Sequence, residues 1–293
     1  MKQILRPAQI IDSEALAQTQ RQNLDISRTH AIQLGRIAYE AMKNESYLHN
    51  GQAIKWRSEI QQAIAQKVSI APSCNLKHSQ SEQFLETEIV VVNQSTLSVA
   101  HQLVSAGFKP LTLNFANGIE PGGGFLTGGR AQEETLCRAS ALYLTLVDDP
   151  MYAAHAKRPL PDSSDWAIYS PQVPVFCDDS GQSYPRPWLL DFISCAAPYA
   201  PRLGHDYASV LLKQRTDRIL SIACSFGYTT LILGAWGCGA FGNDPARTAQ
   251  DFKQALLTKF AGRFAKIVFA IVDWSPERKF LRPFQQAFAM QND

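Results

Sequence analysis

Apolar residues recur at helical spacing early in the chain and gather into short unbroken runs later. Ala31, Leu34, Ile37, Ala38 and Ala41 share one helical face, as do Ile60, Ala63 and Ile64, so the first 70 residues read as helices. The polar stretch Lys77-His78-Ser79-Gln80-Ser81-Glu82-Gln83 reads as a linker or exposed loop. From there strands and helices alternate. Residues 89–92 form a buried strand, and 97–106 a helix that ends at Gly107. Residues 111–115 are the next strand, followed by a glycine-rich loop and a helix from about 133 to 146.

Prolines at 150, 159, 161, 171, 174, 185 and 187 make 147–187 read as irregular, with one edge strand near 173–176. Then follow a strand at 189–196, a helix at 206–226, a strand at 231–233 and a second glycine-rich loop. Asn243-Asp244-Pro245 opens the next helix with an Asx cap and a proline in the first turn. A last strand at 267–272 and a last helix at 276–290 complete the pattern. This alternation predicts an α/β fold with a largely parallel sheet covered on both faces.

Composition narrows the classes. The chain has 293 residues, 45% of them hydrophobic, so it can bury a full core without staples. With 28 basic and 26 acidic residues, it lacks the basic excess of a general nucleic-acid binder, while one local anion site stays open. Cysteines at 74, 137, 177, 195, 224 and 238 form no CxxC pair, which suits reduced thiols in the cytoplasm better than disulfides or zinc. No secretory signal is read at the N-terminus. Residues 219–241 run without a charge, but Gly227 and Thr229-Thr230-Leu231-Ile232 break them into a helix end, a turn and a buried strand. No metal or cofactor is implied, because no HExxH, Asp/His cluster or Cys pair occurs.

Two loops at strand ends carry the candidate chemistry. The first runs from Asn117 through Gly122-Gly123-Gly124 to Gln132-Glu133-Glu134. Three glycines let backbone N–H groups approach a ligand, and two acids stand where helix dipoles favour negative charge. A flexible turn with a capping acid is the plain alternative. The second loop is Gly234-Ala235-Trp236-Gly237-Cys238-Gly239-Ala240-Phe241-Gly242, placed between strand and helix as a phosphate turn would be. Its G-x-G-x-x-G lacks the acidic residue expected about 20 positions on in a dinucleotide site, and no Walker lysine follows. A turn that only lets strand and helix pack is the alternative here.

Together the loops would clamp a diphosphate, with the acids at one end of the ligand. Paired carboxylates beside a ribose suit acid–base work on a glycosidic bond. Adjacent helical residues point about 100° apart, so one acid is expected to move the proton and the other to hold a hydroxyl. Cys238 has no histidine near it in sequence to make it a nucleophile, and His101 reads as structural. Arg130 is left between a phosphate contact and a solvated side chain.

Pro121-Gly122-Gly123-Gly124 followed by Gln132-Glu133-Glu134 resembles the signature of poly(ADP-ribose) glycohydrolases of the compact microbial type. Val92-Asn93-Gln94-Ser95-Thr96-Leu97, Leu113-Asn114-Phe115-Ala116-Asn117, Tyr169-Ser170-Pro171 and Leu233-Gly234-Ala235-Trp236-Gly237-Cys238-Gly239 extend the likeness. The resemblance implies a macrodomain-like mixed sheet between helices (residues 81–293), with residues 1–80 as a helical extension packed on it as one continuous domain. It implies hydrolysis of ribose–ribose bonds in poly(ADP-ribose), with ADP-ribose as product and no membrane partner. Glu134 would be the acid and base, Glu133 and Asn117 would hold the ribose, and Gln132 would line the site. Gly123 and Gly124 would leave room for sugar and diphosphate. Gly237, Cys238, Gly239 and Ala240 would cradle the phosphates, and Phe241 would press on the terminal ribose. The alternatives are a non-catalytic ADP-ribose-binding module, which would not need the acid pair, and a hydrolase of mono-ADP-ribosyl conjugates.

Overall fold

The computed structural model describes residues 4–76 and 84–289, so the predicted linker at 77–83 lies outside the described residues. Eleven strands are described: β1 (Ile4–Leu5), β2 (Gln9–Ile11), β3 (Ser46–His49), β4 (Gln52–Lys55), β5 (Val68–Ile70), β6 (Glu86–Val92), β7 (Leu111–Ala116), β8 (Ala167–Cys177), β9 (Ser183–Ala196), β10 (Thr230–Leu233) and β11 (Lys266–Ala270). Nine of them form one sheet in the order β1-β6-β11-β10-β7-β9-β8-β5, with β2 beside β1 on the β6 edge. Pairing is parallel from β1 through β9 and antiparallel from β9 to β8 and β5. β3 and β4 form a separate hairpin.

Both faces are covered. In β6, Ile89 and Val91 pack into one core with helices His205–Ser225, Pro245–Leu257 and Leu281–Phe288. Val90 and Val92 face the other, with helices Arg28–Lys43, Arg57–Gln66, Thr96–Ser105 and Gln132–Ala139. That two-sided burial explains the unbroken apolar runs. Helix ends fall where glycine allows a left-handed residue. Gly107 (φ +86°) and Gly227 (φ +76°) each follow a helix, and the next N–H, of Phe108 or Tyr228, bonds back to Leu103 or Ala223. Asp244 caps helix Pro245–Leu257 as predicted, accepting from the N–H groups of Ala246 and Arg247.

Four expectations need correction. The first 70 residues are not helices alone: β1 and β2 add to one edge of the sheet, and β5 pairs with β8 at the other. The helix predicted over 133–146 breaks at Ser140, whose backbone is extended. Its hydroxyl donates to Leu136 O and accepts from Leu142 N–H, replacing helical bonds, while Ala141 N–H reaches Pro174 O on β8. The stretch 147–187 is ordered. Pro150 begins helix Pro150–Ala156 behind the Asp149 cap, and Pro171 falls in a register shift of β8. Prolines at such positions permit structure instead of breaking it. The last helix is also shorter than predicted, Leu281–Phe288, because Asp273 Oδ2 takes the N–H groups of Phe280 and Leu281 and sets its start.

Candidate active site

The carboxyl ends of the parallel strands surround a cleft of about 680 Å³, the position expected for a ligand site in such a sheet. Both glycine loops reach it. Glu133, Glu134, Asn117, Gly237, Gly239, Ala240 and Phe241 line it.

The first loop leads into helix Gln132–Ala139, whose cap position, Ala131, offers no side-chain acceptor. Glu133 and Glu134 stand in its first turn, where the exposed N–H groups favour acids. Glu133 turns inward and is 3% exposed. Its Oε2 accepts from Asn117 N–H at 2.7 Å and its Oε1 from Asn114 Nδ2 at 3.2 Å. Burial pushes the Glu133 carboxyl up to about 8; the donors from Asn117 and Asn114 pull it down, and the neighbouring Glu134 adds to the rise. Glu134 is half-buried. Its Oε1 accepts from Gly124 N–H at 3.0 Å, while its buried Oε2 has no protein partner.

The glycines of this loop serve the acids. At Gly123, where φ is +54°, a Cβ would stand 2.4 Å from Glu134 Oε1 and 3.2 Å from Glu133 Oε2. One at Gly129 would stand 2.8 Å from Glu134 Cγ. Neither Gly123 nor Gly124, expected to make room for sugar and diphosphate, lines the cleft: Gly123 makes room for Glu134, and Gly124 N–H donates to it. Gln132 lines the cleft as expected, with its amide turned to the protein. Its Oε1 accepts from Phe115 N–H and its Nε2 donates to Leu113 O and Thr96 Oγ1, so its amide ties the helix start to β7 and to the neighbouring helix. Asn117 uses its Oδ1 to close its own turn on Ile119 and Glu120 N–H; among the described residues its Nδ2 has no protein acceptor. Arg130 is held at the rim by Ile26 O at 2.9 Å.

The second loop is built differently. Gly237 (φ +75°) is packed against Ala197 and Asn243, and Asn243 Nδ2 donates to Pro198 O and Gly237 O. By contrast, a Cβ at Gly239 would meet nothing within 4 Å. Among the described residues, the N–H groups of Gly239, Ala240 and Phe241 take no protein acceptor. Cys238 does not belong with them. Its N–H bonds to Ala235 O, and its thiol turns away to Trp236 O and Thr248 Oγ1. Burial pushes that thiol up to about 12, which leaves no thiolate for nucleophilic work. Phe241 sets its ring edge-on to Tyr199, 5.8 Å between centroids.

Several cleft residues went unread in the sequence. Trp274, Phe280 and Asp273 follow β11, and the rule that ligands gather at strand ends would have found them. Asp179 lies in the turn between β8 and β9, where no local pattern marks it. It accepts from the hydroxyls of Ser95 and Ser98, and burial raises its carboxyl. His101 is structural as expected, stacked on Tyr184 at 5.0 Å.

Residues 37–178 match the family model for the microbial-type PARG catalytic domain. The crystal structure of poly(ADP-ribose) glycohydrolase from Thermomonospora curvata is similar with a TM-score of 0.84 and 35% identity, over 88% of this chain and 99% of that one. The same glycohydrolase bound to the inhibitor ADP-HPD gives 0.80 and 34% over the same shares. Poly(ADP-ribose) glycohydrolase from Deinococcus radiodurans in complex with ADP-ribose gives 0.72 and 33%, over 78% of this chain and 96% of that one. A comparison with curated protein sequences finds no match.

Proposed function

The chain belongs to the family of microbial poly(ADP-ribose) glycohydrolases, and from that premise we infer how its own residues cut the polymer. It hydrolyses the ribose–ribose O-glycosidic bonds of poly(ADP-ribose) and releases ADP-ribose. The observation that carries the assignment of roles is that Glu134 lines the cleft while its buried Oε2 has no protein partner. A buried oxygen without a partner is costly unless a ligand supplies one.

Gly124 N–H occupies Oε1, which leaves Oε2 as the oxygen that gives up the proton. The proton passes to the leaving 2′-oxygen as the ribose–ribose bond breaks, leaving an oxocarbenium-like ribose. Glu134, now a carboxylate, takes a proton from a water whose oxygen bonds to the ribose carbon. Such acid–base work contributes ~10²–10⁴-fold. Glu133, kept neutral by burial at neutral pH, hydrogen-bonds a ribose hydroxyl, and Asn117 Nδ2 donates to the same sugar. The N–H groups of Gly239, Ala240 and Phe241 take the diphosphate, and the Phe241 ring packs on ribose. A cytoplasmic setting fits six cysteines that are all free. Among the described residues, no helix is long and apolar enough to cross a membrane.

The test is incubation with poly(ADP-ribose) and, separately, with singly modified protein, reading free ADP-ribose. Glu134→Gln is expected to bind ADP-ribose normally and to lose ~10²–10⁴-fold in turnover. More than about half of parental activity in that variant would sink the assignment of the acid.

A further inference from the structure

Helix Arg28–Lys43 lies outside the strand-and-loop frame of the site, yet it meets the acid-holding loop at close range. Gly35 is buried in its interior, where glycine is normally disfavoured against alanine because it loses more backbone freedom. Here the missing Cβ is required. One built at Gly35 would stand 2.2 Å from the Phe125 carbonyl oxygen and 3.1 Å from its carbon. Arg28, seven positions earlier and so on the same face, donates from Nε to Thr127 O at 3.0 Å. A Cβ at Gly128, where φ is +92°, would stand 2.5 Å from Arg28 Cγ.

These contacts lead directly to the acid. Phe125 follows Gly124, and Gly129 N–H bonds back to Gly124 O at 2.8 Å, which closes the turn the helix touches. Gly124 N–H in turn holds Glu134 Oε1 at 3.0 Å. Neither Gly35 nor Arg28 lines the cleft.

We propose that Gly35 and Arg28 are positioning residues for the reaction, fixing the height of the Gly124–Gly129 turn and with it the place of Glu134. This rests on Glu134 as the proton donor. An alanine at Gly35 must push the Phe125 carbonyl away, and a misplacement of ~1 Å costs on the order of 10²-fold in rate. The second loop is untouched, so binding of the diphosphate is spared.

The experiment compares Gly35→Ala, Arg28→Ala, Glu134→Gln and the parent by kcat and KM on poly(ADP-ribose), calorimetric titration with ADP-ribose, and thermal melts. For Gly35→Ala, kcat is expected to fall roughly 10- to 100-fold, with KM and ADP-ribose affinity within about twofold. Arg28 is exposed, so Arg28→Ala leaves the fold intact and lowers kcat by roughly 3- to 10-fold in the same pattern. Parental kcat in a folded Gly35→Ala overturns the proposal, as does a kcat loss matched by an equal loss of ADP-ribose affinity. Should Gly35→Ala not fold, Arg28→Ala decides alone, and parental kcat there overturns it. Activity surviving in Glu134→Gln sinks the acid assignment itself; activity lost there but intact in Gly35→Ala sinks only the positioning role.

Discussion

In the loop after β7, a Cβ at Gly123 or Gly129 would run into the Glu134 side chain; in the loop after β10, a Cβ at Gly239 would meet nothing within 4 Å. Both stretches are glycine-rich turns from a strand end into a helix. In the first, the protein itself fills the space that glycine leaves, and the loop's N–H at Gly124 is bonded to the Glu134 carboxyl. In the second, the space stays open and three consecutive N–H groups take no protein acceptor among the described residues. Glycine therefore serves two ends here: it seats a side chain in one loop and exposes backbone in the other.

That contrast breaks first at Gly123. Gly123→Ala adds a Cβ 2.4 Å from Glu134 Oε1 at a φ of +54°. Displacing the acid should cost at least ~10²-fold in kcat, with ADP-ribose affinity much less affected. Steady-state kinetics beside calorimetry checks this, and a fully active Gly123→Ala would reduce the first loop to an ordinary turn.

Gly239→Val tests the other side. Gly239 has neither a left-handed φ nor a crowded Cβ position, so the thermal melt should not move. A branched side chain in the open space would block one or two hydrogen bonds to a charged group, at ~1.5–3 kcal/mol each. Affinity for ADP-ribose should drop on the order of tenfold to a few hundredfold. Parental affinity at parental stability would mean that the diphosphate sits elsewhere.

The smallest effect sharpens the comparison through pH. Glu133 has its carboxyl raised from 4.5 to about 8 by burial. Between those values the folded chain keeps the proton that the unfolded chain releases, so stability falls as pH rises through that window. Glu133→Gln carries no such proton, and its melting temperature should decline less from pH 4.5 to pH 8 than the parent's. Parallel melting curves would show that the buried carboxyl is ionised in the fold. No such slope is expected from the second loop, where Gly239→Val should parallel the parent.

Much of this was legible because local chemistry and fold agree. Val90 and Val92 against Ile89 and Val91 announce a strand buried on both faces, and Asp244-Pro245 announces a helix start. The acids could be picked out by residue type and place. Their supports could not. Gly35 and Phe125 are ninety positions apart, and nothing near either marks the contact. That the Gln132 amide is shared between β7 and Thr96 is likewise invisible in the sequence. Nor does the sequence show that the Cys238 N–H, read as part of a phosphate cradle, is taken by Ala235 O. The prolines misled because whether Pro171 breaks a strand or sits in its bulge depends on how β8 pairs with β9 across the turn that joins them, which the proline pattern alone does not show.

The place of β11 has a consequence for how the enzyme comes into being. It is the last of the described strands, yet it stands between β6 and β10, and its Lys266 bonds across to Glu88, 178 positions earlier. A growing chain emerges at ~5–20 residues per second, so β6 waits roughly 9–35 seconds with a bare edge and β10 about 2–7. Bare edges invite wrong partners, and pairing over such a sequence distance is slow. The cleft straddles this seam, with Ile271 and Trp274 on one side and Trp236 and Phe241 on the other. The cleft is therefore complete only once β11 pairs, and until then the edges of β6 and β10 stay open to wrong partners.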